Sequence, residues 1–136
     1  MHKELRIHTE KQGLIEITDL VSEALDDCNI ESGICVLFIQ HTSASLIIQE
    51  NADPSAKRDL EYWLNKLVKE DDVGFTHVSE GADDMPSHIK AMLTNVSLSI
   101  PIVNGRLALG TWQGIYLWEH RKQSHLRKII VQIVPS

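Results

Sequence analysis

Apolar residues recur along this chain with two different periods, and the switches between them mark out its elements. In ELRIHTEKQGLIEIT, residues 4–18, apolar and polar positions alternate on either side of Gly13, which reads as a strand pair or hairpin. The spacing then lengthens to three and four. Leu20, Val21, Ala24, Leu25 and Cys28 predict a helix, with Thr18 or Asp19 as its cap and Gly33 beyond its end. ICVLFIQ (34–40) is a continuous apolar run rich in β-branched residues, predicted as a strand buried on both faces. It empties into HTSASLIIQEN, a second strand after a short polar break. In DPSAKRDLEYWLNKLVKEDD, Asp53 as cap and Pro54 at the first helical position open a helix. Ala56, Leu60, Trp63, Leu64 and Leu67 give that helix one apolar stripe.

Alternation returns in VSLSIPIVNGRLALGTW. Val96, Leu98, Ile100 and Ile102 predict a strand, Asn104-Gly105 a hairpin turn, and Pro101 an edge or bulge. GTWQGIYLWEHR continues in extended form, with Gly110 and Gly114 permitting bends or close backbone approach, and LRKIIVQIVP closes the chain as a strand. The sum, about eight strands and three helices with hairpins late, predicts an α+β fold. It is a compact single domain over residues 1–136, mainly antiparallel sheet.

Charge and composition narrow the function classes. A formal net charge of −6 argues against a nucleic-acid binder, and the basic stretch HRKQSHLRK (120–128) reads as a strand-to-strand loop. No apolar run is long enough to span a bilayer, and MHKELRIHTE lacks the order of a secretory signal, so a cytoplasmic protein is expected. Cys28 and Cys35 fall at apolar positions and are expected to be buried, reduced thiols.

Candidate chemistry concentrates in three clusters. In HVSEGADDMPSHIKAML (77–93), Asp83 or Asp84 would cap a helix with Pro86 in its first turn. Ile89, Met92, Leu93 and Val96 would form its apolar face. His88 then sits in the first turn at the edge of that face, with Lys90 pointing elsewhere. His77, Glu80, Asp83 and Asp84 lie on the loop feeding this helix. Histidine and carboxylate together bind divalent metals, although the eleven-residue spacing of His77 and His88 matches no standard metal motif. The second cluster is QHTSASLIIQEN, where a rigid strand delivers His41 beside Thr42, Ser43 and Ser45. No Gly-x-Ser-x-Gly elbow surrounds Ser43, which argues against a serine hydrolase. In the third, GTWQGIYLWEHR, Gln113 and Glu119 share strand parity and would line one pocket wall, with Trp112, Tyr116, Trp118 and His120 on the other face and Arg121 adding an anion contact.

HTSASLIIQENADP, HVSEGADDMPSHIKAML and GRLALGTWQGIYLWEHR, taken in this order, closely resemble the YjbQ-like family, also called the secondary thiamine-phosphate synthase family. The family pattern often has Ala where Ser87 stands and Thr-Ala where Ser43-Ala44 stands. The resemblance implies a homotrimer with polar pockets near subunit contacts, and a site of His41, Glu50, His77, His88, Gln113 and Glu119. His41, His77 and His88 would hold a zinc-like divalent metal, with Glu119 or Glu50 as base and Gln113 beside them. The implied activity joins a hydroxymethylpyrimidine diphosphate to a thiazole phosphate. That chemistry calls for Mg²⁺ on the diphosphate, held by Asp83, Asp84 and Glu80, and for phosphate contacts from Lys90, Arg106 and Arg121. The alternative is a non-catalytic homotrimer that binds a metal or small ligand.

Overall fold

The computed structural model describes residues 1–136. Eight strands and three helices follow one another as β1 (His2–Thr9), β2 (Gly13–Glu16), α1 (Thr18–Asp26), β3 (Gly33–Ile39), β4 (Ala44–Glu50), α2 (Pro54–Leu67), α3 (Asp84–Leu93), β5 (Ser97–Val103), β6 (Arg106–Leu107), β7 (Gln113–Glu119) and β8 (His125–Pro135). The fold is α+β, as the pattern predicts. Two antiparallel sheets divide the strands, one ordered β1-β8-β3-β5-β6 and the other β2-β7-β4. Between them lies the main core, to which Leu37, Ile129, Val131 and Ile133 contribute from the larger sheet and Leu46, Ile115 and Leu117 from the smaller. Val21, Ala24 and Leu25 of α1 complete it. A second, smaller core joins Tyr116 and Trp118 of β7 with Leu14, Leu64 and Val68, so α2 covers the outer face of the three-stranded sheet.

Strand β7 is therefore buried on both faces. Its odd residues face the inter-sheet core and its even residues face α2, which bears out the parity read from GTWQGIYLWEHR. Gly114 permits the expected close approach, because a Cβ there would lie 2.7 Å from Glu16 Oε2 and 2.8 Å from Asn51 Cβ. The Asn104-Gly105 turn is also as expected, with both residues at positive φ (53° and 75°) between β5 and β6.

Several expectations are corrected. The stretch around Gly13 is no hairpin: β1 pairs with β8 and β2 with β7, in different sheets. Gly13 instead allows α2 to close in, since a Cβ there would collide with Glu61 Oε2, which accepts the Leu14 N–H at 2.8 Å. Strand β3 alternates rather than being buried throughout, with Ile34 and Phe38 exposed on a sheet face that no helix covers. The Thr18 hydroxyl does not cap α1. It accepts the Ile115 N–H at 2.8 Å and so joins the helix start to β7. Asp53 does cap α2, accepting the Ser55 N–H at 2.9 Å. The apolar stripe of α2, however, is only partly covered: Leu64 is buried while Trp63 is 59% exposed.

Helix α3 shows the largest departure. The face it buries is Asp84, Ser87, Lys90 and Ala91, while Met92 is 73% and Leu93 53% exposed. Lys90 lies inward because its Nζ donates to Asn65 Oδ1 on α2. His88 belongs to the second turn, one full turn beyond Asp84.

Buried at the end of β7, His120 joins its Nε2 to Ser45 Oγ (2.9 Å) and leaves Nδ1 without a partner. Burial, followed by the Lys90 and Arg127 charges, pushes its pKa down to about 3. His41 is held below its ordinary value in the same way, by burial and then by Arg127. The folded chain thus resists protonation at His120 while the unfolded chain takes up a proton near pH 6.5, so stability is lost as pH falls below that value. Urea titrations should show a loss of about 2 kcal/mol between pH 7 and pH 5, a loss that His120→Gln reduces. A wild-type stability that is flat over this interval would contradict the burial of a neutral imidazole.

Candidate functional site

Helix α3 and the loop before it place together three side chains of the types that can ligate a metal. Asp84 and His88 stand four residues apart on α3, the spacing that stacks side chains on one helix face. His77 reaches the same point from the preceding loop. Asp84 Oδ2 lies 2.8 Å from His77 Nε2 and 3.1 Å from His88 Nε2, and the three ligand atoms are all within 4.8 Å of one another.

The hydrogen bond on the far side of His88 fixes its tautomer. Its Nδ1 lies 2.9 Å from the Thr42 carbonyl oxygen, which can only accept. Nδ1 therefore carries the hydrogen, and the Nε2 of a neutral ring turns its lone pair towards the Asp84 carboxylate. Two acceptors facing each other require a proton or a metal cation between them. The Oδ2-to-nitrogen distances are near the edge of about 3.3 Å expected around a tetrahedral ion with bonds of about 2.0 Å. The residues present therefore fit a zinc-like ion.

Asp84 is nearly inaccessible and is oriented from behind. Its Oδ1 accepts from Arg121 Nη1 at 2.7 Å, while Arg121 Nε donates to Asp83 and Nη2 to the Glu80 carbonyl. Burial alone would raise the Asp84 pKa; the His77 hydrogen bond and the His88 and Arg121 charges outweigh it and hold the carboxyl below its usual range. Asp83 is lowered likewise, with burial opposed by the Lys122 N–H and Arg121. Neither aspartate side chain caps α3, because both are turned to Arg121.

The profile described as "UPF0047 protein YjbQ-like" matches residues 3–136. The chain belongs to the YjbQ-like UPF0047 family. A UPF0047 protein of Synechocystis is 48% identical over 133 residues, covering 97% of this chain and 90% of its own. The YjbQ protein of Salmonella typhimurium is 44% identical over 130 residues, with 95% and 94% covered. Among solved structures, a YjbQ/UPF0047 protein of Clostridium acetobutylicum superposes with a TM-score of 0.85 at 37% identity, over 98% of this chain and 99% of that one. A conserved hypothetical protein of Thermus thermophilus does so at 0.87 with 32% identity, over 97% and 99%.

The remaining residues of the motif set are not gathered at this cluster. His41 Nε2 accepts the Lys128 N–H at 2.9 Å, and its Nδ1 faces Arg127 at 3.4 Å, so the ring is engaged with β8. Its neighbour Thr42, through the carbonyl, is what reaches His88. Glu50 pairs in register with Gln113, whereas Glu119 pairs with Ala44 at the opposite end of the same ladder. Six strand steps, about 20 Å, separate Gln113 from Glu119. Glu50 accepts the Asp53 N–H, and Gln113 accepts the Gly110 N–H. Arg121 is not free for phosphate, as three partners already occupy its guanidinium. Lys90 faces α2, away from the cluster.

Glu119 has lost the freedom a general base needs. Its Oε1 accepts from Thr9 Oγ1 and from Arg127 Nε, each at 2.7 Å, and its Oε2 accepts from Arg127 Nη2 and the Arg121 N–H. Burial would raise its pKa, but these donors, Arg127 foremost, hold it below the usual carboxylate range. Arg127 and Thr9 were absent from the sequence-based candidates. A signal for Arg127 was present: it shares parity with Ile129, Val131 and Ile133, the core face of β8, and a buried arginine requires an anion.

Arg127→Leu should destabilise the protein by about 3–5 kcal/mol, because it leaves the Glu119 charge buried and unpaired. The double variant Glu119→Leu/Arg127→Leu should recover a large part of that loss in denaturant titrations. Additive single-site losses would show that the pair is not coupled.

Proposed function

We propose that this protein is a divalent-metal-binding protein whose His77, Asp84 and His88 form the ligand set, with a coordination position left open. The observation that carries the reading is the His88 tautomer: with Nδ1 committed to Thr42, its Nε2 faces the Asp84 carboxylate across a gap suited to a cation. Two imidazoles and one carboxylate suit a zinc-like ion, and three protein ligands are the arrangement of zinc sites that act on substrates. When bound, such an ion would supply Lewis acidity to a small phosphorylated or heterocyclic substrate. The chain's own residues orient the ligands: Arg121 fixes Asp84, Thr42 fixes His88, and Glu119 fixes the Arg121 backbone. His41 stands outside this ligand set in the proposal.

Assembly as a homotrimer, implied by the family resemblance, belongs to the same reading. Supporting it are large apolar side chains left uncovered on α2 and α3, among them Trp63, Leu67, Met92 and Leu93. Leu67, Phe75, Ile89 and Leu93 line one continuous hollow, and apolar surface of this kind marks interaction sites.

Native mass spectrometry of protein dialysed against Zn²⁺ tests both points together. Three chains with one ion per chain are expected; His88→Ala should keep the trimer and lose the metal, while His41→Ala should keep both. Absence of stoichiometric metal from the wild type, or its retention in both His88→Ala and Asp84→Asn, would remove the metal reading. A monomer would remove the assembly.

The thiamine-phosphate synthase-type transfer stands second. It keeps the metal, but Arg121, Asp83 and Asp84 are engaged with one another and would have to be released to hold a diphosphate. Rescue of a strain lacking thiamine-phosphate synthase, abolished by His88→Ala, is the outcome this second reading requires. Failure to rescue on overexpression leaves the binding protein as the better account.

A further inference from the structure

A separate cavity of about 550 Å³ lies between α2 and strands β2 and β7, within the size range of small-molecule sites. Lys90 and His120 both line it, and both are buried. Lys90 is 4% exposed, and the acceptor its Nζ meets is the neutral amide of Asn65. A buried ammonium is costly unless an anion accompanies it, and an amide dipole offsets little of that cost. His120, the other buried polar group, has an Nδ1 with no hydrogen-bond partner. The buried ammonium at the cavity wall, met only by an amide, points to a polar ligand as its missing partner.

The rest of the lining defines the charge of that ligand. Apart from Leu14, Ile15 and Trp118 the walls are polar. Lys11, Lys57 and Lys90 face Glu10 and Glu61, and Glu61 is already engaged with the Leu14 N–H. The balance favours an anion. A lysine ammonium with donors to spare, backed by two further lysines, suits a dianionic phosphate more than a single carboxylate. Lys90, Gln12 and Asn65 also border an adjoining hollow of about 510 Å³, where Lys69 and Lys122 stand beside Glu70 and Asp71 and Lys122 is paired with Glu70, so the cationic character is confined to the first cavity.

We propose that the cavity bordered by Lys90 and His120 binds a small organic phosphate, with the phosphate group on Lys90 Nζ. The site is independent of the His77–Asp84–His88 cluster. Lys90 lies two residues beyond His88, about 200° around α3, so the helix presents the cluster on one flank and this cavity on the other.

Isothermal titration of the full-length protein with inorganic phosphate, glycerol 2-phosphate and succinate tests the assignment. Both phosphates should bind saturably at one site per chain, glycerol 2-phosphate the tighter, with succinate at least about tenfold weaker. Lys90→Met should abolish phosphate binding, and the exposed substitution Lys11→Glu, which leaves the core intact, should weaken it about tenfold. His88→Ala should leave it unchanged, which separates this site from the metal reading. No binding of either phosphate, equal binding of succinate, or phosphate binding unaltered by Lys11→Glu would overturn the proposal.

Discussion

The ion pair between Glu119 and Arg127 joins the last residue of β7 to the third residue of β8, and therefore one sheet to the other. Both partners are almost completely buried, and such a pair holds only when every lone pair and donor is used. Thr9 from β1, the Ser43 hydroxyl and the Arg121 N–H complete it. Because Arg121 is anchored there through its backbone, its guanidinium is presented to Asp83 and Asp84 from a fixed origin. The two histidines then meet a carboxylate whose position the core has set. Rigid strands thus support a cluster that sits on a loop and a helix start, the part of the fold least able to fix itself.

This arrangement divides the charged residues into two kinds. Glu119, Arg127, Arg121 and Asp83 are saturated by one another and act by holding positions. His77 and His88 instead converge on the outward oxygen of Asp84, His77 as its hydrogen-bond partner and His88 with an Nε2 that needs a proton or a cation in order to face it. Exposure follows the division, since His77 is open to solvent while Glu119 is sealed. Pocket chemistry of the kind expected from Gln and Glu on β7 is ruled out within one chain by simple length: the two ends of a seven-residue strand do not share a small ligand.

Outside the cluster, polar and apolar groups are exchanged between their usual places. Lys90 is buried on α3 while Met92 and Leu93 are exposed, and α2 leaves Trp63 and Leu67 in water. A helix that turns its polar side inward brings that side against other polar groups, here Asn65 and the cavity beneath α2. Its outward apolar side is left for a surface that a single chain does not provide.

Much of the fold was legible in the sequence because period and turn chemistry act locally. The alternation of β5, β7 and β8, the Asp53-Pro54 helix start and the Asn104-Gly105 turn each follow from a few neighbouring residues. Which strands pair is not local: the segments flanking Gly13 alternate as a hairpin would, yet tertiary contacts send them to different sheets. The rotation of α3 was hidden for the same reason, since periodicity finds the apolar face but the bond from Lys90 to Asn65, and the layer below, decide which face turns inward. Of the candidate site, the sequence by itself determined that His77, Asp84 and His88 stand near one helix start. Tertiary structure alone decided that Asp84 rather than His41 joins the histidines, and that Glu119 is locked by Arg127, because those choices rest on contacts between residues many positions apart.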